Sequence, residues 1–147
     1  MKRLIIALSC LAAAPALASE TDVLRRLGRP DVLCLHQYYV SVQAATKLCH
    51  WPRSAVDDAI DASVLRIESY LISIAPVHVD AALASQRKWL FDMLEVGDSE
   101  VEMLKACQEW DGIAALATLR SSFSNGEQIE RIVDTTLAGP PPERMVC

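Results

Sequence analysis

Cysteine and histidine lie close together at two places in this sequence, Cys34 with His36 and Cys49 with His50. Zinc sites need four ligands that converge on one point, usually delivered as close pairs. Neither of these pairs suits such a site, because neighbouring residues of a helix point in different directions. The CxxCH haem-attachment motif is also absent, since Cys49-His50 supplies only its end. We therefore predict no metal and no cofactor, and we expect the cysteines to form disulfides.

A serine and a lysine three residues apart, Ser85 and Lys88, match the SxxK motif of penicillin-interacting serine enzymes. Those enzymes also use SDN-like and KTG-like elements, and the chain has neither. No GxSxG nucleophile elbow occurs either. We interpret Ser85 and Lys88 as part of a solvated helix face.

Paired carboxylates occur one helical turn apart, first at Asp57 and Asp61 and again at Glu127, Glu130 and Asp134. Glycosidase chemistry needs two carboxylates that face each other across a cleft, one of them kept protonated by apolar surroundings. Carboxylates on the polar face of an amphipathic helix are solvated, and we expect these to lie at the surface. No catalytic residue is therefore predicted, which favours a non-catalytic protein. A small enzyme or ligand-binding protein with a site assembled from scattered residues is the alternative.

The first 18 residues read as a cleaved signal peptide. Lys2 and Arg3 form a charged start, an apolar stretch covers residues 4–14, and Ala16-Leu17-Ala18 offers the small residues that signal peptidase requires. The apolar stretch is much shorter than the roughly 20 residues that cross a bilayer. We expect cleavage after Ala18, a periplasmic or secreted protein, and no membrane association afterwards. Lipidation at Cys10 is the less favoured alternative.

The net charge indicates which classes of macromolecule the protein is expected to bind. The whole chain carries 14 Lys and Arg against 19 Asp and Glu, a net charge of −5. Loss of Lys2 and Arg3 with the signal peptide leaves 12 against 19, or −7. Nucleic acids and anionic membranes attract basic surfaces, so both are disfavoured as partners. A basic protein partner is compatible with this charge.

Periodic apolar residues predict an all-α fold. Residues 31–49, 54–75, 79–96, 99–119 and 127–137 carry helical patterns, with a break or kink at Asp111-Gly112 in the fourth. Ser54 and Ser99 are the expected N-caps, and Val56, Ile60, Val64, Ile67, Leu71 and Ile74 form the clearest apolar stripe. We predict one domain over residues 19–147, a compact bundle of four or five helices with a proline-rich tail at 139–147.

Four cysteines remain after loss of Cys10, and in an oxidising compartment they indicate two disulfides. Cys34 and Cys49 cannot pair with each other if they share a helix, because 15 residues of helix separate them by about 22 Å. In an up-down bundle the fourth helix would carry Cys107 toward Cys34, and the last helix would carry Cys147 toward Cys49. We predict the disulfides Cys34–Cys107 and Cys49–Cys147.

Export, small size, acidity and the lack of a catalytic motif favour a domain that binds another protein, in the manner of inhibitors and immunity proteins. That likeness is one of architecture, because no motif identifies a family. The acidic turn with Asp98, Glu100 and Glu102, together with Trp110 at a helix break, is the predicted contact surface. His36 and His78 are expected at the surface or at helix ends.

Overall fold

Six α-helices, and no β-strand, occur in residues 31–74 and 79–141, the parts of the chain that the computed structural model describes. They are α1 (Val32–Leu48), α2 (Ala55–Ile74), α3 (Val79–Leu94), α4 (Glu100–Glu109), α5 (Asp111–Ser122) and α6 (Gly126–Leu137). The predicted all-α class is confirmed, with six helices in these ranges where four or five were expected. Residues 1–18, His78 and Cys147 lie outside the described ranges. None of the described helices is long and apolar enough to cross a membrane.

Side-chain caps explain where several helices begin. The Asp31 carboxylate accepts hydrogen bonds from the backbone N–H groups of Leu33 and Cys34, which starts α1. Ser99 caps α4 as predicted, because its hydroxyl accepts from the N–H of Glu102. Asn125 does the same for α6 through Gln128. Each cap satisfies N–H groups that the first turn of a helix leaves without an intrahelical acceptor.

Helix α1 is the centre of the fold and packs against α2, α3, α4 and α5, while α2 makes its most extensive contact with α6. The main core includes Leu35 and Tyr39 of α1 together with Ile60, Val64, Ile67 and Leu71 of α2, all of them buried. The predicted stripe of α2 is therefore confirmed along its length, except that Val56 is half-buried and Ile74 is exposed at the end.

The segment predicted to be helical from residue 99 to 119, with a break or kink at Asp111-Gly112, consists of two helices. Trp110 adopts an extended conformation (φ −86°, ψ 118°), caps the end of α4 and begins α5 one residue before the expected break. In α4 the buried side chain is Met103, with Cys107 one turn further on, whereas Val101 is 76% exposed. Met103 and the disulfide of Cys107 therefore mark the face of α4 that packs inward.

The structure describes one disulfide, Cys49–Cys107, with a Cα–Cα distance of 5.7 Å. The predicted pairs Cys34–Cys107 and Cys49–Cys147 were therefore wrong. The error came from treating the fourth predicted helix, residues 99–119, as one that descends along the bundle. Instead, α4 has ten residues and stays at the end of α1 where Cys49 lies. There a second, smaller core joins Ala44, Cys49, Leu94, Met103 and Ile113.

Candidate functional site

A seam of polar side chains runs between the antiparallel helices α1 and α2. Three cross-helix hydrogen bonds form it: His36 Nε2 to Glu68 Oε1 at 2.9 Å, Gln43 Nε2 to Asp61 Oδ1 at 2.7 Å, and Thr46 Oγ1 to Asp57 Oδ1 at 3.5 Å. We call these six residues the polar seam. Buried polar groups are costly unless they are hydrogen-bonded, so pairing of this kind is what allows the seam to lie within the bundle.

Asp57, at one end of the seam, is only 3% exposed. Arg120 of α5 donates two hydrogen bonds to it, from Nε at 2.7 Å and from Nη2 at 2.6 Å, and Ser54 donates its N–H and its hydroxyl. Burial alone would raise the pKa of Asp57, but the hydrogen bonds from Arg120 and Ser54 hold this pKa at about 2. The prediction that Asp57 is a surface carboxylate was wrong, since it is the buried partner of a bidentate ion pair.

At the other end, His36 is fully buried in the second turn of α1, so its predicted place at the surface or at a helix end was also wrong. Its Nε2 and the Arg87 guanidinium both contact Glu68 Oε1. Burial acts to raise the pKa of Glu68, and hydrogen bonds from Arg87 and His36 lower it further than burial raises it. Among the described residues, three buried polar atoms of this region have no hydrogen-bond partner: Nδ1 of His36, the hydroxyl of Tyr39 and Nε of Arg87. Burial also raises the pKa of the Tyr39 hydroxyl.

A cavity of about 340 Å³ opens onto the middle of the seam, between α1, α2 and α3. Its wall combines the apolar residues Val42, Ile60 and Phe91 with the polar residues Gln43, Thr46, Lys47, Arg53, Asp57, Asp61 and Arg87. The Lys47 ammonium lies 5.7 Å from the centre of the Phe91 ring. We call this space the seam cavity.

A different surface is formed by residues 89–111, which we call the acidic-apolar segment. It carries seven carboxylates against one lysine, a net charge of −6, and all seven carboxylate residues are exposed. It also holds six of the nine large apolar side chains that are exposed in the described ranges: Trp89, Met93, Val96, Val101, Leu104 and Trp110. Trp89 and Met93 lie one turn apart and so share one face at the end of α3, and Val96 follows two residues after the helix ends.

The four predicted contact residues all lie in this segment, at opposite ends of α4. Asp98, Glu100 and Glu102 surround the start of the helix, and Trp110 follows its last residue, about 15 Å away by helix rise. Glu102 accepts hydrogen bonds from the Asp98 N–H at 2.7 Å and from the Ser99 hydroxyl at 3.3 Å, so it shapes the turn. A groove of about 550 Å³ beside this turn includes Asp98, Glu100 and Met103 in its lining.

The other residues considered for chemistry have ordinary contacts. Ser85 and Lys88 are not buried, and Lys88 pairs with Asp92. His50 follows the end of α1 with φ of 52°, and its Nδ1 is 3.9 Å from Glu100. Within residues 31–74 and 79–141, no three His, Cys, Asp or Glu side chains are grouped as metal ligands would be.

Sequence reasoning missed the polar seam and the seam cavity. A signal was present, because His36, Gln43 and Lys47 share one face of α1, and Asp57, Asp61 and Glu68 share one face of α2. The apolar residues between them in sequence made the pattern hard to recognise. No sequence feature near Arg87 or Arg120 indicates that these arginines reach the seam.

Comparison with protein-family models, with curated proteins and with solved structures finds no match to this chain.

Proposed function

We propose that the chain is an exported domain that binds another protein and does so through the acidic-apolar segment, as an inhibitor or immunity-type protein does. The observation that carries this proposal is the concentration of exposed apolar side chains and carboxylates in residues 89–111. Export rests on the signal-like residues 1–18, and a disulfide is compatible with an oxidising compartment.

The apolar component supports contact with a protein surface. Exposed tryptophan and methionine supply much contact area, and aromatic side chains are enriched among the residues that dominate binding energy. Trp89 and Met93 lie one turn apart on α3 and are both about half exposed. A partner that covers them would remove this apolar area from water, which is the main favourable term in association.

The charged component determines the kind of partner. Of the seven carboxylate residues, only Glu109 pairs with a lysine of the segment, Lys105. Asp92 pairs with Lys88 just outside it. The surplus negative charge attracts a basic surface and increases the association rate, an effect that salt weakens. The partner is therefore a protein whose contact surface combines arginine or lysine side chains with apolar pockets.

The segment is held in place, which lowers the entropic cost of binding. The Cys49–Cys107 disulfide ties α4 to the end of α1, and Met103 is buried in the smaller core. At the turn before α4, Gly97 has φ of 84°, and a Cβ there would come within 2.5 Å of Glu102 Cβ. A rigid scaffold therefore presents both ends of α4.

The test compares two double variants that remove equally exposed apolar pairs. Trp89→Ala with Met93→Ala changes the segment, whereas Leu65→Ala with Ile72→Ala changes exposed residues of α2 and serves as the control. Each mature protein is used for capture from periplasmic extract, the partner is identified by mass spectrometry, and its affinity is then measured with purified components. We expect the segment variant to bind at least tenfold more weakly and the control to bind normally. Equal affinity of all three proteins, or no captured partner, would overturn the proposal.

A further inference from the structure

We propose that the seam cavity is a binding site for a small organic carboxylate with a compact apolar body. This inference does not depend on the proposed protein partner and extends the protein's function to a small molecule. It rests on three observations: which hydrogen-bonding groups of the cavity wall already have a partner, which of them have none, and which side chains lie beside them.

The carboxylates in the wall are already engaged. Asp57 accepts hydrogen bonds from Arg120, Ser54 and Thr46. Asp61 accepts from Gln43 at Oδ1 and from Arg53 at Oδ2, both at 2.7 Å. A cationic ligand would have to displace one of these donors, so the cavity is poorly suited to a cation.

The groups that remain are donors. In the described ranges, Lys47 forms no ion pair or side-chain hydrogen bond, although an ammonium group has three hydrogens to donate. Arg87 uses Nη2 for Glu68, and the other Nη hydrogens of its partly exposed guanidinium have no acceptor among the described residues. Both residues line the same cavity. An unused ammonium beside a guanidinium with unused Nη hydrogens favours an anionic acceptor, and hydrogen bonds to ionised groups are the stronger kind.

The apolar residues of the cavity wall indicate what kind of ligand body the cavity can hold. Val42 and Ile60 are buried, and Phe91 is partly buried with its ring below the Lys47 ammonium. Inorganic phosphate would satisfy the donors but leave the partly exposed Phe91 ring in contact with water. A volume of about 340 Å³ is at the small end of ligand sites, which suits one ring or a short branched chain that carries a carboxylate.

The experiment titrates three probes of similar size into isotope-labelled mature protein and follows backbone amide signals by NMR. Benzoate carries the proposed chemistry, benzamide replaces the charge by a neutral amide, and benzylamine reverses the charge. We expect benzoate to shift signals from Gln43, Lys47, Arg87 and Phe91 in a saturable way, benzamide to bind more weakly, and benzylamine to leave these signals unchanged. Inorganic phosphate, as a fourth probe, should also bind more weakly than benzoate.

Matched variants connect binding to the named donors. Lys47→Gln should weaken benzoate binding about tenfold, as expected for loss of one charge-assisted hydrogen bond. Lys105→Gln, an exposed lysine of α4 that pairs with Glu109, should have no effect. Arg87→Lys keeps a charge beside Glu68 but removes the unused Nη hydrogens, and it should also weaken binding. Absence of saturable benzoate shifts, equal binding of benzylamine or phosphate, or unchanged affinity of Lys47→Gln would each overturn the proposal.

Discussion

Arg120 of α5 forms a bidentate ion pair with Asp57 of α2, although 63 residues separate them in sequence. The same guanidinium donates to the carbonyl oxygen of Pro52 at 2.6 Å and lies 5.8 Å from the centre of the Trp51 ring. One side chain thus links α5 to the start of α2 and to the loop that follows α1. This link explains why a carboxylate next to a helix start is buried and charged.

Removal of Arg120 should be costly, because it leaves the buried Asp57 carboxylate without its cation. We expect Arg120→Gln to lower the free energy of unfolding by about 3 kcal/mol, at the lower end for broken buried ion pairs. The control is Arg66→Gln, which removes an exposed pair with Asp134 and should cost less than about 1 kcal/mol. Urea denaturation of both variants measures the difference. Equal losses would show that the Asp57–Arg120 pair has no special role.

Acid should destabilise the protein through the same carboxylate. Hydrogen bonds hold the Asp57 pKa at about 2 in the folded state, below about 3.9 for an unfolded chain. The stabilisation is therefore complete above about pH 4 and is lost as pH falls through the folded pKa, an effect of about 2 kcal/mol. Unfolding free energies measured from pH 5 to pH 2 should fall more steeply in the wild type than in Asp57→Asn. Parallel curves would contradict this assignment.

The Cys49–Cys107 disulfide should contribute strongly to stability. It closes a loop with a sequence separation of 58 residues, for which chain entropy gives about 4 kcal/mol. We expect Cys49→Ala with Cys107→Ala to lose most of that amount in thermal or urea unfolding, while the helical content measured by circular dichroism stays the same. A double variant with wild-type stability would disprove the contribution.

The second disulfide is expected between Cys34 and Cys147, the two cysteines that remain in the chain predicted after signal cleavage. Cys34 is not a free thiol. Peptide mapping without reduction should recover a fragment that joins residue 34 to residue 147, separate from the Cys49–Cys107 fragment. Recovery of Cys34 joined to any other cysteine would refute this pairing.

Processing after Ala18 is a further expectation from the sequence. The exported protein should begin at Ser19, as read by N-terminal sequencing of material from the periplasm or the medium. Cytoplasmic protein that keeps Met1, or protein lipidated at Cys10, would contradict export by this route.

Much of the fold could be predicted because local chemistry specifies it. Ser99 caps a helix through its own side chain, as predicted, and the stripe Ile60, Val64, Ile67 and Leu71 is buried as its spacing indicates. The disulfide pairing could not be predicted, because it depends on where a short helix lies relative to α1. A break at Trp110 changes that position while leaving the periodicity on either side intact.

The sequence by itself determined the all-α class, most helix boundaries and the acidity of residues 89–111, since caps, spacing and charge act over a few residues. Only the tertiary structure decided that Asp57 and His36 are buried, that Arg120 and Arg87 reach the polar seam, and that Cys49 joins Cys107. The sequence pattern around an acidic residue is the same whether water or an arginine surrounds its carboxylate in the folded protein. The arginine reaches the carboxylate through the packing of helices that are far apart in sequence. The periodicity of a single helix carries no information about that packing.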